Sequence, residues 1–439
     1  MPSERRVMML LLNRLTTLKD DLLNEEIHGA IIDGITVFVL PKKGFRRKYA
    51  EVFINYGSND NAFIPYGTQA PVHVPPGIAH FLEHKMFEKP WGEAFSAFAS
   101  IGASANAYTG NNYTSYLFWT LENYEKALEL LMEVVFSPYF TDETVEKEKG
   151  IISQEIRMYE DQPSSRLFKE TISTLYFEHP VRLDIAGTED SIKEITKDLL
   201  YLCHSNFYCG PNTSLFMAGD FEPEDAFATA ARIIARFVPE AREAPKRVRP
   251  DEPAEVGGNV SIPMPVPTPL LQVGWKDNRL LDGQEMIRRE LATTLLLDII
   301  FGKSSPFFAR VYEEGLADDL SFSYEAWPDY AFSLVAAESE EPGRLIDMIL
   351  HEVDRIRREG FSKEDFERKK KAALGRFITL FNSFDAVGQT QVHLFKVGQD
   401  VFSYGSMLRD LEVDALWAGL DCFDVARSAN VIIKNDNAN

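Results

Sequence analysis

The segment G-I-A-H-F-L-E-H at 77–84 places two histidines and a glutamate within five residues. His80 and His84 are four apart, so a helix puts both imidazoles on one face, about a turn apart. That spacing lets two imidazoles grip one tetrahedral metal ion. Glu83 is three residues after His80 and adjacent to His84, so its carboxylate reaches the edge of the same face. A carboxylate beside a metal-activated water can accept its proton. The bland alternative is a pair of surface histidines. Against it, two of the chain's 8 histidines fall in one pentapeptide. The flanking Ile78, Ala79, Phe81 and Leu82 also suit a helix lining a partly buried site.

A hydrolytic metal site needs a third protein ligand and keeps a position open. The charged stretch 144–160 offers Glu146, Glu148, Glu155 and Glu160. Glu148 and Glu155 are seven apart and share a helix face, and spacing does not choose between them. Cys203, His204 and Cys209 make a weaker cluster, because the Cys-x5-Cys spacing has no second pair and suits buried structural thiols. Lys369, Lys370 and Lys371 read as a solvated charge run on a helix.

The elements that must position these residues follow from pattern. Ile35–Leu40 and Tyr49–Tyr56 are apolar runs around Pro41 and Gly44, and read as a hairpin. Residues 77–87 and 124–135 have helical periodicity, and 102–121 reads as two strands rich in Tyr, Phe and Thr. Thr141 is a natural N-cap for a helix running to Tyr159. Residues 239–262 are polar and proline-bearing, the best linker in the chain. Beyond it the order of strands and helices starts again. F-T-D-E-T-V-E-K begins at 140 and F-S-K-E-D-F-E-R at 361, an offset of 221. The expected fold is therefore two homologous α+β domains, with mixed or antiparallel sheets packed by helices, at 1–238 and 263–439.

Composition bounds the rest. The chain has 439 residues, 45% hydrophobic and 26% charged, enough for two globular domains. Its 46 basic against 67 acidic residues give a net charge of −21, which does not suit coating nucleic acid or an anionic membrane. Three cysteines cannot build a disulfide framework, so a reducing, cytoplasmic setting is expected. Val7–Leu12, after Arg5 and Arg6, is too short for a signal-peptide core, and no later run approaches the ~20 apolar residues that span a bilayer.

Three motifs together carry a resemblance: H-F-L-E-H at 80–84, S-A-N-A-Y-T at 104–109 and E-K-G-I-I-S-Q-E at 148–155. The chain resembles the inverzincin peptidases of the pitrilysin, insulin-degrading-enzyme and mitochondrial-processing-peptidase family, and most of all their half-length bacterial members. F-G-K-S-S-P-F at 301–307 and E-E-G-L at 313–316 extend the likeness into the second half. The resemblance implies one zinc ion per chain, held by His80, His84 and Glu155, with Glu83 as general base and Glu148 as a supporting residue. It also implies a peptide-binding edge strand at Asn106, Ala107, Tyr108 and Thr109, which residue pattern alone would make an ordinary core strand. A zinc metalloendopeptidase follows, built as half of a clamshell.

The second half departs from that pattern. At offset 221, Arg376 and Lys369 stand where Glu155 and Glu148 are, so it reads as a copy without zinc. Two-half relatives carry an Arg and a Tyr in R-x3-[GQ]-L-x-Y that hold the substrate carbonyl. Here Gly315 and Leu316 match, while Val311 and Asp318 replace the Arg and the Tyr. The expectation is a heterodimer whose homologous partner supplies that pair, in preference to a homodimer. A non-catalytic peptide-binding or structural subunit, or a hydrolase of another amide, are the competing functions.

Overall fold

The computed structural model describes residues 16–239, 243–424 and 427–435; the Arg5–Leu12 stretch lies outside them. Strands of five residues or more are numbered in chain order. The first unit carries β1 (Thr16–Asp20), β2 (Glu25–Ile32), β3 (Ile35–Pro41), β4 (Lys48–Ile54), β5 (Ala103–Thr109), β6 (Thr114–Thr120) and β7 (Thr213–Gly219). They form one sheet in the order β1-β2-β3-β7-β4-β6-β5. The strands expected at 35–56 are present, but they do not form a hairpin. β7 lies between β3 and β4, parallel to the first and antiparallel to the second. The unbroken apolar run of β3 marks a central strand buried on both faces, and β7 gives it that second neighbour.

Alternation along β4 sends Ala50, Val52 and Ile54 into the main core and Tyr49, Glu51 and Phe53 to the opposite face. Helices of the first unit are α1 (Ile78–Met86), α2 (Ala94–Ser100), α3 (Tyr124–Phe136) and α4 (Asp142–Glu160), whose last turn passes into the second unit. The α1 residues Ile78, Ala79, Phe81, Leu82 and Met86 join Leu128, Leu131 and Val135 of α3 in that core. Thr141 caps α4 as expected, its Oγ1 accepting from the Thr144 amide at 3.2 Å. α5 (Pro163–Leu175), α6 (Glu189–Lys193), α7 (Lys197–Phe207) and α8 (Pro223–Phe237) follow.

The second unit repeats the plan with β8 (Asn259–Pro263), β9 (Leu270–Lys276), β10 (Ser321–Trp327), β11 (Tyr330–Glu338) and β12 (Ser428–Lys434), in the order β8-β12-β9-β11-β10. That order and its strand senses match β3-β7-β4-β6-β5 rung for rung. Its helices include α9 (Gly283–Phe301), α10 (Pro306–Glu313), α11 (Pro342–Glu359) and α12 (Lys363–Leu380), whereas α13 (Phe384–Lys396) belongs to the first unit as far as Val392. By length and composition Gly283–Glu313 reaches what a membrane span requires, contrary to the sequence expectation; most of that window is buried in protein, as in a core helix.

The compact units do not follow the boundaries 1–238 and 263–439. One holds the described residues up to Ile156, Leu183–Arg249 and Phe381–Val392; the other holds Arg157–Arg182, Pro250–Leu380 and the residues from His393. Packing explains the transfer of α5: Leu167 joins Val431 and Ile433, and Ile172 and Leu175 join Phe332 and Leu334. The 239–262 segment is also no free linker. Lys246 and Arg247 pair with Ile64 and Phe63, and Arg247 and Arg249 both reach the buried Asp60 at 2.8 Å. Glu252 accepts from the amides of Phe177, Glu178 and His179 and pairs with Lys276. Charges that look solvated in sequence here have buried partners.

Candidate metal centre and peptide edge

α1 starts at Gly77, whose φ of 91° is the left-handed conformation that favours glycine. A Cβ there would lie 2.4 Å from the Ala186 carbonyl oxygen. From this start the helix aims His80 and His84 along one face, with ring centroids 4.6 Å apart. α4 crosses that face with Glu148 and Glu155. Glu155 sets one oxygen 3.7 Å from His80 Nε2 and the other 3.5 Å from His84 Nε2. Glu148 instead meets His84 Nδ1, at 3.1 Å. The two glutamates left open by spacing therefore take different places. His80, His84 and Glu155 offer donor atoms all within 4.8 Å of one another, and they are the one such group among the described residues.

These separations fit a shared ion. A hydrogen bond wants about 2.7–3.2 Å, whereas two ligands on a tetrahedral zinc with bonds of about 2.0–2.1 Å sit about 3.4 Å apart. Engaging Nδ1 of His84 with Glu148 leaves Nε2 for the metal side, the carboxylate–histidine arrangement that orients a metal ligand. Burial, helped by the adjacent His84, pushes His80 down to about 3, so its ring is neutral and its nitrogen lone pair available. His84 moves the other way: burial opposes charge there, but the Glu148 hydrogen bond and the surrounding carboxylates outweigh it. Burial raises Glu83 above the usual carboxylate range, against the Thr109 hydrogen bond, which lowers it.

Asn106, Ala107, Tyr108 and Thr109 lie on β5, the edge strand of the seven-stranded sheet, with β6 its one neighbour among the described residues. Pattern alone pointed to a core strand; pairing places it at the rim. Asn106 is exposed, Ala107 packs against the core, and Thr109 Oγ1 donates to Glu83 Oε2 at 2.8 Å. The edge strand and the carboxylate beside the histidines are thus joined directly. Sequence reading missed this contact and the buried Glu51, which collects hydroxyls on the opposite face. The available signal was a lone carboxylate inside the apolar run Tyr49–Tyr56.

The second unit answers the metal geometry with an ion pair. α12 brings Lys369 and Arg376, seven apart, onto Asp298 of α9, at 2.6 and 3.3 Å. Lys369 is buried and Lys370 donates to the Leu411 carbonyl, so the lysine run is not simply a solvated face. Val311 is fully buried in α10. Nearby Arg310 pairs with Glu352, and the Tyr324 hydroxyl donates to Asp277, so both are engaged elsewhere. All three cysteines are buried, which for Cys203 and Cys209 is the structural role expected.

The profile of the family described as "Insulinase (Peptidase family M16)" matches residues 48–189, and that described as "Peptidase M16 inactive domain" matches 194–373. The Bacillus subtilis (strain 168) protein named "Uncharacterized zinc protease YmfH" is 40% identical over 391 residues, covering 88% of this chain and 91% of that protein. The chain belongs to the M16 peptidase family. An M16-like peptidase structure from Alicyclobacillus acidocaldarius superposes with a TM-score of 0.90 at 32% identity, over 96% of this chain and 100% of that one. Pitrilysin shares the fold at a TM-score of 0.76 and 15% identity; this M16 chain aligns over 96% of its own length and 46% of pitrilysin's.

Proposed function

We propose that this M16 chain is a zinc-dependent endopeptidase that cleaves extended peptides. The observation that carries the reading is the convergence of His80 Nε2, His84 Nε2 and Glu155 at separations too long for hydrogen bonds, beside a buried Glu83. His80, His84 and Glu155 would hold a zinc ion, which would supply Lewis acidity toward a carbonyl oxygen or a water. Glu83 takes the proton of the attacking water and returns it to the leaving amine; burial raises its proton affinity, the direction a general base needs. Glu148 fixes the tautomer of His84. The open edge of β5 pairs with the substrate backbone, which requires an extended peptide and little side-chain specificity.

Donors for the developing oxyanion are expected from another chain, because Val311 and Asp318 replace the Arg and the Tyr. The reading is accordingly the zinc subunit of a heterodimer, in a reducing, cytoplasmic setting that a chain of three cysteines suits. The test is a peptide digest followed by mass spectrometry, with and without chelator, on wild type and Glu83→Gln. Chelator-sensitive cleavage lost in Glu83→Gln supports the reading. Peptide binding with no chelator-sensitive cleavage, even with a homologous partner added, turns it to a non-catalytic subunit.

A further inference from the structure

Consecutive residues of β5 are tied down on opposite faces of the sheet. Tyr108 lies beside Ser115 of β6 in the ladder, and Glu51 of β4 is one strand further in. Its hydroxyl spans that distance and donates to Glu51 Oε1 at 2.7 Å. The hydroxyls of Tyr49 and Ser115 donate to the same carboxylate, which is fully buried. Thr109, next along, turns to the other face and donates to Glu83 Oε2 at 2.8 Å. An edge strand has a ladder on one side only, and pairing a peptide on the open side requires that strand to stay flat and in register. Removing one hydroxyl leaves a buried carboxyl group short of a partner, which costs more than losing an exposed hydrogen bond.

We propose that β5 carries two positioning residues with separate effects: Tyr108, anchored through Glu51, holds the edge on which peptide pairs, and Thr109 holds the carboxylate of Glu83. The inference rests on Glu83 as base and on β5 as the peptide edge. Peptide pairing and base orientation then share one strand, so a substrate that straightens β5 also steadies Glu83.

The test uses the full chain with any co-purifying partner retained, and fluorescein-labelled casein as an unstructured substrate. In the absence of casein, Tyr108→Phe should speed hydrogen exchange across residues 103–109, and Thr109→Val should leave it unchanged. Tyr108→Phe should weaken casein binding about tenfold, with the smaller effect on kcat. Glu51→Leu, which leaves β5 itself untouched, should reproduce it. Thr109→Val should lower kcat about tenfold, with casein affinity within about twofold and zinc content unchanged, and Thr109→Ser should restore turnover. Unchanged exchange and binding in Tyr108→Phe overturns the anchor. Wild-type turnover in Thr109→Val, or a Thr109→Ser as slow as Thr109→Val, overturns the Thr109 role. Glu83→Gln runs in parallel: if it keeps turnover, the base reading itself falls, whereas an inactive Glu83→Gln beside a normal Thr109→Val removes only this inference.

Discussion

Glu83, Glu148 and Glu155 are chemically identical side chains separated by what they touch. Glu155 spreads its two oxygens over both Nε2 atoms, Glu148 meets only the far nitrogen of His84, and Glu83 meets a hydroxyl. Each place predicts a different loss. Glu155→Gln and His80→Ala remove a ligand, and metal analysis of the purified chain should show zinc content and activity falling together. Glu148→Gln keeps three ligands but frees the His84 ring; zinc affinity, measured by chelator competition, should drop about 10–100-fold. Glu83→Gln should retain zinc and lose turnover by at least about 10²-fold. Near-wild-type turnover in that variant would sink the base assignment.

Two elements beneath the site, α1 with His80, Glu83 and His84 and β4 with Glu51, each have a weak point. α1 depends on a backbone conformation at Gly77 that an alanine adopts poorly, with the Ala186 carbonyl in the way of a Cβ. Gly77→Ala should cost at least about 2 kcal/mol in denaturant unfolding, and zinc affinity should fall with it, since the histidines ride on that helix. β4 carries Glu51, which burial pushes up to about 7 from 4.5, with hydroxyl donors from Tyr49, Tyr108 and Ser115 pulling down and the charge of Asp385 on α13 pushing up. The folded state therefore binds the proton more tightly than the unfolded chain. The contribution of Glu51 to stability is full below about pH 4.5 and is lost as pH rises through about 7. Glu51→Gln has no such titration. The stability difference between wild type and Glu51→Gln should shift toward the variant over that window; a difference independent of pH would contradict the shift.

Across the whole molecule, one topology has been used twice with opposite charge logic. The first unit sets carboxylates against histidines, and the second sets Lys369 and Arg376 against Asp298. A cation site already filled by an ammonium and a guanidinium has no place for zinc. The full chain carrying both His80→Ala and His84→Ala should accordingly retain no stoichiometric zinc; one equivalent left by metal analysis would mean a second site. The missing Arg and Tyr set the oligomer prediction. Loss of one oxyanion donor costs about 10²–10³ in rate, so two identical chains should make a poor peptidase. Light scattering and peptide cleavage on the chain purified alone should show little turnover, rescued by a homologous chain bearing the Arg and Tyr. A homogeneous homodimer with robust zinc-dependent turnover would refute the heterodimer.

The sequence by itself determined what local chemistry controls. The i, i+4 histidines, the Thr141 cap, the paired strands of 102–121 and the duplicated order of elements are all set by neighbours a few residues apart, and all are present in the fold. The heptad spacing of Glu148 and Glu155 put both on one face of α4. Only the crossing of α4 over α1 decided which of them faces the two Nε2 atoms, because that depends on an axial shift between helices far apart in sequence. The same holds for β5, whose edge position exists only because no other strand among the described residues pairs beyond it, and for β7, which separates β3 and β4 from more than 150 residues away along the chain. Glu51 and the arginines of 247–249 read as misplaced or solvated charges until buried partners are found for them. Pairing across long sequence separations is a balance of packing and desolvation over the whole unit, and spacing carries no record of it.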